Sequence, residues 1–315
     1  MKKLKRIVFA MLLAAGIVFA MPKDAKAADA VTMTKSTRDG FSVKWKIPSY
    51  RNNTGYFIVD ENTDRVIWST EKTYGNIGNV EVEFTGAGTG FVSRVSVYSR
   101  YREDGDNTEY QGYIGSTYVN SIPKDISTKN FALNAAYSDG TVDFAVNRPA
   151  NATKVELEIY NAKNKKIAKR TMYKYSDSIK ISKAMGYKYR VRAYYTNNST
   201  GKNYYGRWSG YRYFANPNAT IKASKNTIKA YIKKGTGISS YTVYVSTKRD
   251  SGYKKVKTVK VGKKSKYTVT AKKYGKKKIK GPKYYYVKVV PKVKFGSKTY
   301  ASDMFARGSI YVPRS

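Results

Sequence analysis

Short segments of this chain alternate between apolar and polar residues along most of its length. In one of them Phe41, Val43 and Trp45 share one face, while Ser42 and Lys44 lie between them on the other. Successive side chains of a β-strand point to opposite faces, so such segments predict strands that bury one face only. Turn residues separate the segments at regular intervals, which is typical of an antiparallel β-sandwich. We therefore expect an all-β protein.

One aromatic-rich strand pattern occurs three times. It begins at Phe91, Tyr187 and Tyr285, so the copies are 96 (187 − 91) and 98 (285 − 187) residues apart. A fixed period of this length predicts tandem copies of one small β domain. The inner faces of the copies supply the predicted structural core, in particular Trp45, Phe144, Tyr187 and Tyr285. In the last strand of each copy we expect the following residues to face inward: Ile114, Trp208 and Met304.

The second copy carries a recognisable order of motifs. An apolar strand from Val142 is followed by YKYRVRAYY from Tyr187 and by Tyr-x-Gly-x-Trp-Ser from Tyr204. This order resembles the fibronectin type III domain, and the likeness extends in three copies over nearly the whole chain after residue 28. Ile181 lies six residues before Tyr187, which is similar to the spacing at that family's tyrosine corner, where a hydroxyl bonds nearby backbone. The resemblance implies tandem immunoglobulin-like sandwiches in an extended array.

The other two copies depart from the family pattern. The first has Phe91 at the corner position, so the corner hydrogen bond cannot form there. The third has Ala230 where the other copies have Trp45 and Phe144. We expect its core to lack a large central aromatic side chain and to bury less area.

The domain boundaries follow from polar, proline-containing joints at Pro123 and Pro217. They predict fibronectin type III-like domains at 29–122, 123–215 and 216–315, the last being divergent and strongly basic. Links this short favour limited bending between neighbouring domains.

The N-terminus has the pattern of a secretion signal over residues 1–27. Basic residues at 2–6 precede an apolar run at 7–21, and Ala25-Lys26-Ala27 supplies a small-x-small cleavage site. The lysine-rich leader is typical of bacteria. We expect a secreted, extracellular protein without a transmembrane segment in its mature chain, and a retained N-terminal anchor is the alternative.

The sequence contains neither histidine nor cysteine. Their absence removes the usual general base, the usual zinc ligands and the thiol nucleophile, so we expect no enzyme and no cofactor. Glu81 and Glu83 share a strand face and could supply the carboxylate pair of a glycosidase, but a solvated strand explains them better. An acidic loop that includes Glu103 and Asp106 could attract Ca²⁺, yet its spacing matches no regular calcium-binding loop.

Net charge rises along the chain. Residues 29–122 hold 10 Lys and Arg against 12 Asp and Glu, residues 123–215 hold 18 against 6, and residues 216–315 hold 27 against 2. The net charges are therefore −2, +12 and +25, and the last domain should attract polyanions. The expected partner is an anionic cell-wall polymer or acidic glycan; nucleic acid is disfavoured because no recognition motif is present. The candidate binding residues are Lys254, Lys255, Lys263, Lys264, Lys272, Lys273, Lys276, Lys277 and Lys278. The alternative explanation is that lysines keep exposed sheet edges from pairing.

Aromatic residues near the last hairpin of the second copy form a candidate contact surface. Its members are Tyr194, Tyr204, Tyr205 and Trp208. Tyrosine gives large, rigid contact area, although cross-strand tyrosine pairs also simply stabilise sheets. The predicted function is a non-catalytic adhesion or spacer protein at the cell surface, held to anionic polymer by its basic domain. The alternative is specific recognition of a glycan or protein ligand by loops at a sandwich end.

Overall fold

The computed structural model describes most of the chain after the leader. The described residues are 30–48, 53–71, 78–136, 140–173, 175–182 and 184–314. The predicted signal segment at 1–27 lies outside them.

Strands make up all the longer elements within these ranges. The first group is β1 (Val31–Ser36), β2 (Phe41–Lys46), β3 (Asn53–Asp60), β4 (Arg65–Thr70), β5 (Asn79–Phe84), β6 (Val92–Tyr101) and β7 (Tyr110–Asn120). After a 3₁₀ turn at Thr128–Asn130, the second group is β8 (Phe131–Ala136), β9 (Thr141–Val146), β10 (Lys154–Asn161), β11 (Lys166–Met172), β12 (Ser176–Lys180), β13 (Gly186–Thr196), β14 (Asn203–Tyr205) and β15 (Arg212–Ala215). The last group is β16 (Ala219–Ser224), β17 (Thr227–Lys233), β18 (Ile238–Ser246), β19 (Lys254–Lys260), β20 (Lys266–Ala271), β21 (Lys273–Tyr274), β22 (Lys277–Lys278), β23 (Lys283–Phe295), β24 (Lys298–Ala301) and β25 (Ala306–Val312).

Each group of strands forms a small and a larger antiparallel sheet. The small sheets have the orders β1-β2-β5, β12-β9-β8 and β16-β17-β20. The larger sheets have the orders β4-β3-β6-β7, β11-β10-β13-β14 with β15 also on β13, and β19-β18-β23-β24 with β25 also on β23. The protein is thus all-β, with tandem immunoglobulin-like sandwiches. The alternation predicted the strands, and the repeat and the family resemblance implied the tandem sandwiches.

The inner faces hold the aromatic residues that the sequence predicted. Trp45 is buried in the first group and lies 5.5 Å from Tyr56, measured between ring centroids. Phe144 is buried in the second group, 5.1 Å from the Tyr189 ring. Tyr187 is buried as well and stacks on the buried ring of Phe214. The alternation of side chains along the strands therefore predicted correctly which of these residues are buried.

The β16–β25 core does contain a large central aromatic residue, contrary to our expectation. Ala230 is buried on β17, but Tyr241 on β18 is completely buried within the same cluster. The Tyr241 hydroxyl donates to the Lys233 carbonyl oxygen at 3.2 Å, and burial raises its pKa to about 12. A strand of the other sheet in this group thus supplies the ring that β17 lacks.

Tyrosine corners form at Tyr187 and Tyr285. The Tyr187 hydroxyl donates to the carbonyl oxygen of Ser182 at 3.0 Å, and the Tyr285 hydroxyl donates to that of Lys280 at 3.0 Å. Phe91 has no hydroxyl to donate, and its ring stacks on Phe41 with centroids 5.7 Å apart. The corner expected from the Ile181–Tyr187 spacing therefore forms.

The described residues fall into two compact units. One contains the described parts of Met1–Lys124, Ala150–Ala152 and Tyr194–Tyr205, and the other those of Asp125–Pro149, Thr153–Ala193 and Gly206–Ser315. The boundaries at 122/123 and 215/216 remain a prediction. Within the described part of the chain, no helix has the length and apolar character that crossing a bilayer would require.

Within the second unit, one carboxylate ties three segments together. Asp303 accepts hydrogen bonds from Arg212 Nε at 2.7 Å and from Arg212 Nη2 at 2.8 Å. Its Oδ2 also accepts from the hydroxyl of buried Tyr189 at 3.0 Å. The remaining Arg212 nitrogen donates to the carbonyl oxygens of Thr128 and Phe131 at 2.9 and 2.6 Å. Asp303 thus joins β13 and β15 to the loop that follows β24.

Candidate functional site

Four lysines line a single cleft of about 490 Å³ in the last group of strands. They are Lys272, Lys273, Lys278 and Lys280. The lining is completed by Asn226, Thr227 and Ile279. All four lysines are exposed, so their ammonium groups are accessible to a ligand. We call this feature the lysine cleft.

A tight hairpin concentrates the charge at this cleft. Strands β21 and β22 pair so that Lys273 lies directly opposite Lys278 and Tyr274 opposite Lys277. Gly275 makes the turn possible, because its φ of 59° falls in the left-handed region that glycine adopts without strain. Like charges placed directly opposite on paired strands are destabilising. An anion bound between them would relieve that repulsion.

The tyrosine corner holds the cleft in place. Tyr285 bonds both backbone groups of Lys280, since its oxygen also accepts from the Lys280 N–H at 3.1 Å. The Tyr285 ring meets Tyr274 edge to face with centroids 5.6 Å apart, which anchors the hairpin to the core. Ile279 is buried and donates its N–H to the Lys272 carbonyl oxygen at 2.9 Å. The lysine side chains therefore extend from an ordered backbone.

The cleft has no neutralising carboxylate from its own segment. Residues 216–315 contain only two acidic side chains, Asp250 and Asp303. Asp250 pairs with Arg307 at 2.6 Å, and Asp303 pairs with Arg212 at 2.7 Å. Because both carboxylates are held by arginine, the lysines here carry a net positive charge that is balanced by solvent ions or a ligand.

Some of the nine candidate lysines lie together at the lysine cleft, and the others lie elsewhere in the same strand group. Lys272, Lys273 and Lys278 line the cleft, and Lys276 and Lys277 lie on the same hairpin. Lys254 lies beside this hairpin, since a Cβ added to Gly275 would be 3.4 Å from the Lys254 Cγ. The remaining candidates lie on β19 or in the loop after it: Lys255, Lys263 and Lys264.

Sequence reasoning missed Lys280. It is a single lysine between Ile279 and Gly281, whereas the predicted binding residues lie in pairs and runs of lysine. Its position five residues before the corner residue Tyr285 was the available signal, since the corner hydroxyl bonds backbone at that distance.

The candidate aromatic surface does not form one exposed patch. Tyr194 is buried and packs against the half-exposed Tyr205, with ring centroids 5.1 Å apart. Tyr204 packs against the hydrophobic core of the first strand group. Trp208 lies elsewhere, against two arginines of β13. A contact role for this set remains a prediction, and only Tyr205 offers substantial exposed area.

Trp208 belongs to the outer face of its sheet, although we expected it to face inward. Its ring lies 4.4 Å from the Arg190 guanidinium and 4.5 Å from that of Arg192. Alternation places both arginines opposite the buried Tyr189 and Val191. Planar guanidiniums stack favourably on the indole ring, which accounts for its position against these two arginines.

Two buried glutamates complete this array of arginines. Glu158 pairs with Arg190 at 2.8 Å, and Glu156 pairs with Arg192 at 2.6 Å. Burial opposes ionisation of Glu158, but hydrogen bonds from Tyr160, Arg190 and Lys166 outweigh it and lower its pKa to about 2. Lys166 and Lys169 also pair with these glutamates, at 3.0 and 2.7 Å, so four basic side chains share the two carboxylates.

The acidic loop of the first group makes local contacts. Asp106 accepts from the Tyr110 hydroxyl at 2.5 Å and from the Thr108 N–H at 2.8 Å. Hydrogen bonds from these two residues lower the pKa of Asp106. Across the described ranges, no three acidic side chains come together in an arrangement that could hold a metal ion.

Comparisons with known proteins give one distant structural likeness to report. No protein-family model matches the sequence, and no curated protein matches it. Among solved structures, the FN1–FN3 domains of chicken CNTN1 are similar. The identity is 11% and the TM-score 0.31, over 90% of this chain and 98% of that chain. No residue of this chain is assigned a role from that likeness, and the fold described above rests on the sheets themselves.

Proposed function

We propose that this chain is a non-catalytic, exported adhesion or spacer protein of bacteria. Its basic C-terminal domain, residues 216–315, would hold an anionic cell-wall polymer or acidic glycan electrostatically. Two further fibronectin type III-like domains, at 29–122 and 123–215, would precede it as spacers. The leader at 1–27 supports export, and the absence of histidine and cysteine disfavours catalysis.

The lysine cleft is the observation that carries this proposal. Four exposed lysines line one cleft, two of them directly opposite each other, and the only two acidic side chains of their segment are bound by arginines. Lysine acts as a hydrated point charge with little geometric selectivity. Binding through it should therefore respond to the charge density of the polymer and weaken with rising salt.

A charge-matched pair of variants of the full chain tests the cleft on an anionic matrix eluted with salt. The cleft variant is K272Q/K273Q/K278Q/K280Q. The control variant, K248Q/K257Q/K292Q/K298Q, removes four exposed lysines elsewhere in the same segment. We expect the cleft variant to elute at clearly lower salt than the control. Equal elution of the two would contradict a role for the cleft, and wild-type elution of both would overturn electrostatic binding altogether.

A second cleft favours the alternative, recognition of a specific ligand. Its volume is about 580 Å³, and its lining includes Tyr211, Tyr213, Tyr300 and Lys129. Tyr213 and Tyr300 stack with ring centroids 3.6 Å apart, which makes a rigid aromatic wall. Glycan or protein binding in this pocket should survive salt that abolishes charge adhesion, so binding at high salt that Tyr300→Ala removes would favour this alternative.

A further inference from the structure

The outer face of the small sheet β16-β17-β20 carries a regular array of basic and hydroxyl side chains. Its register sets Lys222 opposite Lys229, with Thr270 next across the sheet. The following row is Thr220, Tyr231 and Thr268, and the last row pairs Lys233 with Lys266. Every member of these rows is exposed. A row of tyrosine and threonines thus lies between two basic rows.

This face is continuous with the lysine cleft. Thr227 lines the cleft and shares its side of β17 with Lys229, Tyr231 and Lys233, since alternate residues of a strand point the same way. Lys272, also in the cleft, directly follows the last residue of β20. At about 3.3 Å per residue, the six steps from Thr227 to Lys233 make a track roughly 20 Å long. A track of that length suits a polymer better than a single small anion.

The charges on this face repel each other. Lys222 lies directly opposite Lys229, and Lys233 lies directly opposite Lys266. Directly opposed like charges destabilise paired strands. In the part of the chain that the structure describes, none of these four lysines pairs with a carboxylate, while both acidic side chains of the segment are engaged by arginines. Bound polyanion would supply the missing countercharge.

Tyr231 distinguishes between kinds of polyanion. Its side chain is 40% exposed at the centre of the face, with Thr220 and Thr268 as its cross-strand neighbours. A tyrosine ring offers a flat, rigid contact surface at little cost in conformational entropy, and threonine hydroxyls both donate and accept hydrogen bonds. A sugar ring can use the aromatic face and both hydroxyls. A polymer without rings gains nothing from Tyr231.

We infer that this face binds an anionic polysaccharide along the strands, with one sugar ring stacked on Tyr231. The lysines in the rows on either side pair with acidic groups of the neighbouring sugars. This inference rests on the proposed function and narrows its ligand to a carbohydrate.

The test compares three polymers on the full chain: alginate as a polyuronate, long-chain polyphosphate as a ring-free polyanion, and single-stranded DNA. The variant is Tyr231→Ser. The control is Tyr311→Ser, which removes a tyrosine of similar exposure (46%) from β25 in the other sheet of the same group. Tyr231→Ser should weaken alginate binding about two- to tenfold, the effect of losing one contact as strong as an aromatic pair. Polyphosphate binding should be unchanged, and Tyr311→Ser should alter neither.

The possible outcomes separate this inference from the proposed function. If Tyr231→Ser binds alginate as wild type does and the cleft variant does not bind it, the stacking is refuted and the proposed function stands. Equal losses for alginate and polyphosphate would also refute it, because stacking cannot explain the second. A selective loss for DNA would assign the face to nucleobases instead. Wild-type binding by the Tyr231 and cleft variants alike would refute both the stacking and the role of the cleft.

Discussion

The Asp303 contact predicts that a conservative substitution will have a large effect on stability. Asp303→Asn keeps the size of the side chain and removes its charge. The carboxylate now receives two hydrogen bonds from Arg212, at 2.7 and 2.8 Å, and one from Tyr189 at 3.0 Å. An amide presents one oxygen in place of two, and its NH₂ group would face a donor.

The size of the expected stability loss follows from the partial burial of the Arg212–Asp303 pair. Breaking a fully buried ion pair costs about 3–5 kcal/mol, whereas exposed pairs contribute about 0–1 kcal/mol. The side chains of Arg212 and Asp303 are 28% and 21% exposed, so this pair lies between the two limits. Arg212 also keeps its bonds to the carbonyl oxygens of Thr128 and Phe131. We therefore expect Asp303→Asn to lower the free energy of unfolding by about 2 kcal/mol.

Scanning calorimetry of the full chain is the appropriate measurement, because a multidomain protein need not unfold in two states. For a unit of this size the loss corresponds to a fall in Tm of about 4–8 °C. Asp250→Asn is the matched control, since it breaks the other arginine pair of the segment. The Asp250 side chain is 74% exposed, and its loss should shift Tm very little. Equal shifts for the two variants would refute the argument from burial.

Two further predictions concern Glu158 and the tyrosine corner. The folded pKa of Glu158, about 2, lies below its ordinary value of 4.5, so its contribution to stability is present above about pH 4.5 and is lost as the pH falls towards 2. The Tm of Glu158→Gln should therefore depend less on pH between these values than the Tm of wild type. Identical pH profiles would contradict a stabilising role for the ion pairs of Glu158, and the exposed Glu103→Gln is the control. Tyr285→Phe should lower stability by about 1 kcal/mol and weaken polymer binding, because Lys280 loses both of its backbone bonds to the hydroxyl. Tyr187→Phe should lower stability similarly without affecting binding, and equal binding by both corner variants would show that the corner does not position the cleft.

The sequence by itself determined the features that depend on neighbouring residues in the chain. The alternation around Trp45 and Phe144 predicted strands and their buried faces, and both residues are in fact buried. The resemblance of the Ile181–Tyr187 spacing to that of the fibronectin type III family implied a tyrosine corner, and its hydrogen bond is present. Strand periodicity and a turn that closes within a few residues are local properties, so a single sequence is sufficient to predict them. The concentration of lysine after residue 215 is likewise a matter of composition.

Only the tertiary structure decided which side chains meet across strands. It placed Trp208 against Arg190 and Arg192, put Tyr241 in the same core as Ala230, and brought Lys280 into the cleft. It also set Lys222 opposite Lys229. Strand register and the packing of one sheet on another join residues that are distant in sequence, and a shift of one residue would exchange the two faces of a strand. The charge of this protein is therefore evident from its composition, whereas the surface that presents the charge depends on the fold.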